Sequence, residues 1–487
     1  MGDGGLTATR PARKGHETVL NRPGPITAPQ PAEASDGLPN PQRLMAFSTL
    51  AMAIAMAVLD GTIVTVALPT MARQFAVAPE NAIWIVNAFQ LAVTVSLLPL
   101  AALGDMLGYR RVYWWGLALF TVASLACALA PTFAVLTFAR MIQGLGAAGI
   151  MSVNIALIRF VYPQARLGQG VGNIAVVVAI CSAGSPSVAA AILSVASWHW
   201  LFLINVPIGA LALIMAARTL PATPRAAGRL DFWSVILNAL TFGLVIAGVN
   251  GIGQGGALPL SLVEIAVGAA FGAALVWRQL KLPAPLLPVD LLRRPVFALS
   301  LATSIVSFGA QSLAIVSLPF FFENRLGHSA STSGLLLSPW PIGTALIAPI
   351  AGRLADRFIP GLLGSIGLLV MGGGLVLVAL GIGDSTPVSL AWRLAICGLG
   401  FGFFQSPNNR VIIGSAPRER SGGAAGLQSS GRLIGQSFGT ALVAVALGRA
   451  PAQATEIALW GAAALTLAGA VTSGLRRANS GEFGSRR

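Results

Sequence analysis

The chain has 487 residues, of which 55% are hydrophobic and only 10% charged, with a mean hydropathy of +0.77. That balance excludes a soluble protein and indicates a chain that crosses a membrane many times. The formal net charge of +15 is not read as a nucleic-acid signal, because its placement along the chain follows membrane topology and attraction to anionic headgroups.

Residues 1–43, rich in Pro, Gly and Ala and without the apolar core of a secretory signal, read as a disordered cytoplasmic tail. Apolar stretches of about 20 residues, the length that crosses about 30 Å of hydrocarbon, come next. They lie near 45–69, 83–103, 112–130, 133–157, 171–194, 199–218, 232–252, 260–280, 296–319, 332–352, 361–382, 387–409, 424–447 and 455–475, with a polar tail over 476–487. Fourteen spans make an all-α polytopic membrane protein. With the N-terminus inside, only Arg73, Arg325 and Arg449 of the 31 Lys and Arg residues fall in outer loops. A miscounted span would invert every later loop, so both termini are expected in the cytoplasm.

Cys127, Cys181 and Cys397 sit in apolar runs without paired spacing and read as packing residues, and three scattered histidines supply no metal cluster. No GxxxxGK(S/T) loop occurs, so ATP is not expected as a partner and no enzyme activity or cofactor is implied. After the second span comes "PLAALGDMLGYRR" (99–111) and after the tenth "PIAGRLADRFIPG" (349–361), each ending an apolar helix with Leu and Asp before a basic turn. Eight spans separate the copies. The simplest layout is a six-helix bundle over 44–218, an inserted pair with linkers over 219–295, and a second six-helix bundle over 296–475.

Several motifs carry a family resemblance. "LDGTIVTVALP" (59–69), "AALGDMLGYRR" (101–111), "RMIQGLGAAGIMS" (140–152), "SWHWLFLINVPIG" (197–209), "QSPNNR" (405–410) and "SSGRLIGQSFG" (429–439) together resemble the fourteen-span drug:proton antiporters of the major facilitator superfamily. One motif departs: the fifth-span GPxxGG reads "SPSVAA" (185–190), keeping Pro186 but replacing three glycines by Ser185, Ala189 and Ala190. Small residues preserve close packing, while the kinking role weakens. The resemblance implies two rocking bundles in a bacterial cytoplasmic membrane, with one central cavity open to either side in turn and a proton gradient as energy source.

Asp60 stands in the middle of the first span, where a carboxylate costs about 2.5 kcal/mol or more and is functional by default. Low dielectric disfavours its charged form, which suits a proton carrier, and a cationic substrate would compete with protons for it. Arg140, in the fourth span, needs a partner, with Asp60 or backbone carbonyls as candidates. The resemblance implies a role in proton transfer, and a packing role is the alternative. Gly144, Gly146 and Pro186 read as packing positions. Glu323, in "LPFFFENRLG" (318–327), either makes the cavity more acidic or is a solvated helix end. Among the aromatics, Trp84, Phe89 and Phe404 are expected to line a pocket, because the polar neighbours Asn87, Gln90, Gln405 and Asn408 suggest a wet face. In the basic loops, Asp105, Gly108, Arg110 and Arg111, and Asp356 with Arg357 in the second half, read as a gate latch. Arg410 and Arg432 are further positive charges near the expected path.

These readings converge on efflux of amphipathic, cationic toxic compounds in exchange for protons. Two alternatives stand beside it: transport of a specific anionic or neutral metabolite, signalled by Ser185, Arg410 and Arg432, and a non-transporting membrane sensor, which the short loops disfavour.

Overall fold

The computed structural model describes residues 1–2, 37–223, 225, 231–282, 289–355, 357–382, 386–415 and 421–479. Contacts divide the chain into Met1–Asp36, of which only Met1 and Gly2 are described, and Gly37–Arg487, which holds every helix named below. The described residues are helical and contain no strand. In hydrocarbon a backbone must satisfy its own N–H and C=O groups, and a helix does so within one segment.

The helices run α1 (Gln42–Gln74), α2 (Pro79–Leu107), α3 (Tyr109–Ala128), α4 (Phe133–Val161), α5 (Leu167–Val195), α6 (His199–Thr219), α7 (Phe232–Gly253) and α8 (Leu258–Gln279). They continue through α9 (Pro295–Arg325), α10 (Ala330–Leu354), α11 (Pro360–Leu380), α12 (Pro387–Ser415), α13 (Ser421–Arg449) and α14 (Ala454–Asn479). Thirteen of the helices found among the described residues are long and apolar enough to cross a membrane. The other, α13, is long enough, but Gln428, Arg432, Gln436 and several serines dilute its apolar character.

Each expected span coincides with a helix, with shifted ends. Two of the expected tails are partly ordered. Leu38 donates its backbone N–H to the Val161 carbonyl at 3.0 Å, and α1 already begins at Gln42. At the other end α14 continues past residue 475, and Arg476 is buried rather than part of a polar tail. Residues 3–36 and 480–487 lie outside the described residues.

Local chemistry sets several helix ends. Gly108 separates α2 from α3 with φ +94°, a left-handed backbone that favours glycine. Thr132 caps α4 by accepting from the Val135 N–H, and Ser329 caps α10 by accepting from Thr332.

In the first part of the chain α1 packs on α4, α5 and α6, α2 on α4, and α3 on α4 and α6. The same pairings recur eight helices later: α9 on α12, α13 and α14, α10 on α12, and α11 on α12 and α14. The pair α7 and α8 pack on each other, with α7 also against α2 and α13. The two sets meet where α1 touches α9, α2 touches α13 and α5 touches α10.

At the end carrying the loop after α1, one apolar cluster runs through both sets, from Leu68 and Trp198 to Phe322 and Trp340. At the opposite end the buried residues form separate clusters, one around Leu50 and Leu157 and one around Phe297 and Ile412.

Candidate functional site

Five helices converge on Asp60. It projects from the middle of α1, and Arg140 and Gln143, nearly one turn apart on α4, reach it from one side. The Arg140 Nη1 donates to Asp60 Oδ2. Asp60 Oδ1 accepts from Gln143 Nε2 at 2.9 Å and from Asn205 Nδ2 at 2.9 Å, the latter placed where α6 restarts after a break at Ile204. Both partners of the ion pair have 0% side-chain exposure.

Further bonds hold the donors in place. Arg140 Nε donates to the Ile85 carbonyl at 3.0 Å and Nη1 to Gln143 Oε1 at 2.6 Å. Gln143 Nε2 also donates to Ser124 Oγ at 2.8 Å, and the Cys127 thiol meets Gln143 Oε1 at 3.6 Å. The guanidinium lies 4.2 Å from the Phe89 ring centre and 5.6 Å from that of Phe202, within reach of cation–π attraction to both rings. Arg140 Nη2 is left without a partner.

The arrangement stores charge in a form that depends on one proton. With Asp60 ionised, two opposite charges cancel and three side chains donate to one carboxylate. Without the Asp60 charge, Arg140 would be a buried cation left with two carbonyl oxygens and two aromatic rings, which is unfavourable.

Asp60 and Arg140 are brought together as their residue types demanded, and Arg140 uses both expected kinds of partner. The expectation that a cationic substrate meets the Asp60 carboxylate is not met in this conformation. Asp60 is 1% exposed and both its oxygens are taken. The aromatic residues expected on a wet face also differ. Phe89 is packed under Arg140, Phe404 is fully buried against Phe401 at 6.2 Å between ring centres, and Trp84 is half-buried. Three amide side chains there bond to neighbouring helices. Asn87 donates to Asn250 on α7 at 3.3 Å, and Asn408 donates to Ser304 Oγ at 2.7 Å and accepts from Arg476 at 2.6 Å. Gln90 accepts from Thr440 at 3.5 Å where α2 meets α13, so it does stand between the two sets of helices.

Glu323 is neither a cavity acid nor a solvated helix end. It is 6% exposed in the π-turn that closes α9, and its Oε2 accepts from Arg73 at 2.5 Å and Thr70 at 2.8 Å, fastening α9 to the end of α1.

The latch residues are placed in parts. Asp105 accepts from the Tyr109 hydroxyl at 2.5 Å rather than from an arginine, and Arg110 donates to the Ala217 carbonyl near the end of α6 at 2.5 Å. Arg111 and Arg357 are exposed, and Asp356 lies outside the described residues. A Cβ on Gly144 would meet Phe89 and Ala92, and one on Gly146 would meet the Phe120 backbone, so both are close-packing positions. The Pro186 carbonyl lies against Gly334 of α10, and Ser185 accepts from Thr62 at 2.6 Å, which joins α5 to α1.

Gln143, Asn205 and Ser124 complete the Asp60 site and Arg73 the bridge to Glu323, and the sequence reading assigns none of them a role. Signals existed: Gln143 and Asn205 are intramembrane amides inside two of the family motifs, and Arg73 is one of three exceptions to the charge asymmetry.

Residues 50–440 match the family described as Major Facilitator Superfamily. The chain is 51% identical over 448 residues to "Uncharacterized transporter YebQ" of Escherichia coli K12, covering 92% of this chain and 98% of that one. It is 30% identical over 410 residues to "Multidrug resistance protein Stp" of Mycobacterium tuberculosis, covering 83% and 76%. Among solved structures, a POT family transporter in complex with 5-aminolevulinic acid superposes with a TM-score of 0.68 at 14% identity, over 91% of this chain and 96% of that chain. The chain belongs to the major facilitator superfamily and is a multi-pass membrane transporter.

Proposed function

We propose that this transporter exports amphipathic, cationic toxic compounds from a bacterial cell in exchange for protons, across the cytoplasmic membrane and with both termini inside. The observation that carries the coupling is the fully buried Asp60–Arg140 pair with its amide donors. A proton reaching Asp60 removes the counter-charge of Arg140 and releases the tie between α1, α4 and α6. Loss of the proton on the other side restores it. Proton and substrate thus exclude each other through a change of conformation, not by occupying one carboxylate in turn.

The recurrence of helix pairings at a spacing of eight supports two six-helix halves with α7 and α8 inserted between them. The apolar cluster shared across the halves, with the Arg73–Glu323 bridge, supports a conformation sealed at the outer end and parted at the cytoplasmic end. The likeness to Stp, described as a multidrug resistance protein, supports export of toxic compounds.

Arg432 favours a second reading, an anionic or neutral cargo. It lies on α13 between Gly431, which faces Leu301 of α9, and Leu433, which packs in the cluster of the first half. Its Nε is buried with no hydrogen-bond partner, and no described acid pairs with it. Uptake and efflux in vesicles with an imposed pH gradient separate the readings. Gradient-driven movement of organic cations supports the first, and movement of anionic dyes alone replaces it with the second.

A further inference from the structure

Away from Asp60, a cavity of about 210 Å³ lies between α2, the pair α7 and α8, and the helices α9 and α13. Its walls are almost wholly apolar, and no charged side chain lines it. Three of its polar side chains are already engaged. Thr94 donates to the Gln90 carbonyl at 2.8 Å, Thr241 to the Leu237 carbonyl at 2.6 Å, and Asn238 to the Val95 carbonyl at 2.9 Å. The fourth, Ser430, is 6% exposed, and its hydroxyl has no hydrogen-bond partner.

A buried hydroxyl without a partner is costly, and an apolar chamber of this size either stays dry or is filled by hydrocarbon. A cation would lose its hydration there without meeting a counter-charge. We infer that this cavity is a binding site for a neutral alkyl chain carrying one hydrogen-bonding group, with Ser430 as the polar contact. On the topology proposed above it lies at the depth of the inner leaflet, so the chain is either the acyl tail of a bilayer lipid or the alkyl tail of a transported amphiphile. The cavity also gives the inserted pair a role, since α7 and α8 close a chamber whose remaining walls belong to both halves.

Alkylation of Ser430→Cys by N-ethylmaleimide tests the inference, in a background where Cys127, Cys181 and Cys397 are replaced by Ala so that only the cavity thiol is read. 1-Decanol serves as the alkyl probe and tetraethylammonium as the cationic control. If lipid occupies the site, alkylation is several-fold slower in phospholipid vesicles than in short-chain detergent. If an amphiphile tail occupies it, alkylation is fast in both and decanol slows it several-fold while tetraethylammonium does not. Thr241→Phe, or Val276→Phe at the exposed rim should the first not insert, fills the chamber and abolishes either protection. A rate equal in both media and insensitive to decanol overturns the inference, as does protection by tetraethylammonium alone or protection that survives the filling variants. The assay uses no gradient and measures no transport, so its failure leaves the exporter reading standing, and the reverse holds.

Discussion

Asp60 and Arg140 occupy positions that neither charge would tolerate alone, and each compensates the other. Removing one partner of such a buried pair costs about 3–5 kcal/mol because the remaining charge is left without its counter-ion. Asp60→Asn is therefore expected to lower the thermal unfolding midpoint of the purified protein clearly and to abolish gradient-driven transport. The double variant Asp60→Asn with Arg140→Gln should recover most of the midpoint without recovering transport, which separates stability from coupling. Asp231, at the start of α7 and outside the spans, behaves differently. Arg278 donates to both its oxygens, at 2.9 and 2.8 Å, and holds its carboxyl down at about 2. Because the folded value lies below the ordinary 3.8, this clamp is fully present above that value and is lost only as the pH falls toward about 2. Asp231→Asn should leave the pH profile of transport near neutrality unchanged, measured in the same vesicles as the wild type.

At the scale of helices, glycine spacing decides how closely neighbours approach. A side chain at Gly146 would run into the backbone of Phe120, whereas a Cβ at Gly172 on α5 meets nothing within 4 Å. Gly146→Val should reduce the folded yield and the unfolding midpoint, by an amount in the range of about 1–3 kcal/mol for overpacking, and Gly172→Val should change neither. The existence and order of the helices were legible in the sequence, since an apolar run of spanning length allows one structure in hydrocarbon. Which face of each helix turns inward was not. Both lipid and protein interior accept Phe404, so apolar pattern could not tell a cavity wall from a core. Asn408 likewise looked wet because its partners, Ser304 and Arg476, lie far along the chain.

For the whole molecule, the join between the ends of α1 and α9 depends on contacts between distant segments. Glu323 meets residues about 250 positions earlier, which no local pattern reveals, while the pairing of Asp60 with Arg140 could be argued from the scarcity of acids within the spans. Glu323→Gln weakens the bridge from Arg73 and should widen spin-label distances between the ends of α1 and α9, shifting the population away from the sealed form. In the proposed exchange, one buried carboxylate couples proton flow to export. The most direct test of this coupling is efflux of an organic cation from vesicles under an imposed pH gradient, comparing wild type with Asp60→Asn. Coupling through Asp60 gives gradient-driven efflux in the wild type and none in the variant, whereas equal gradient-driven efflux in both rules it out.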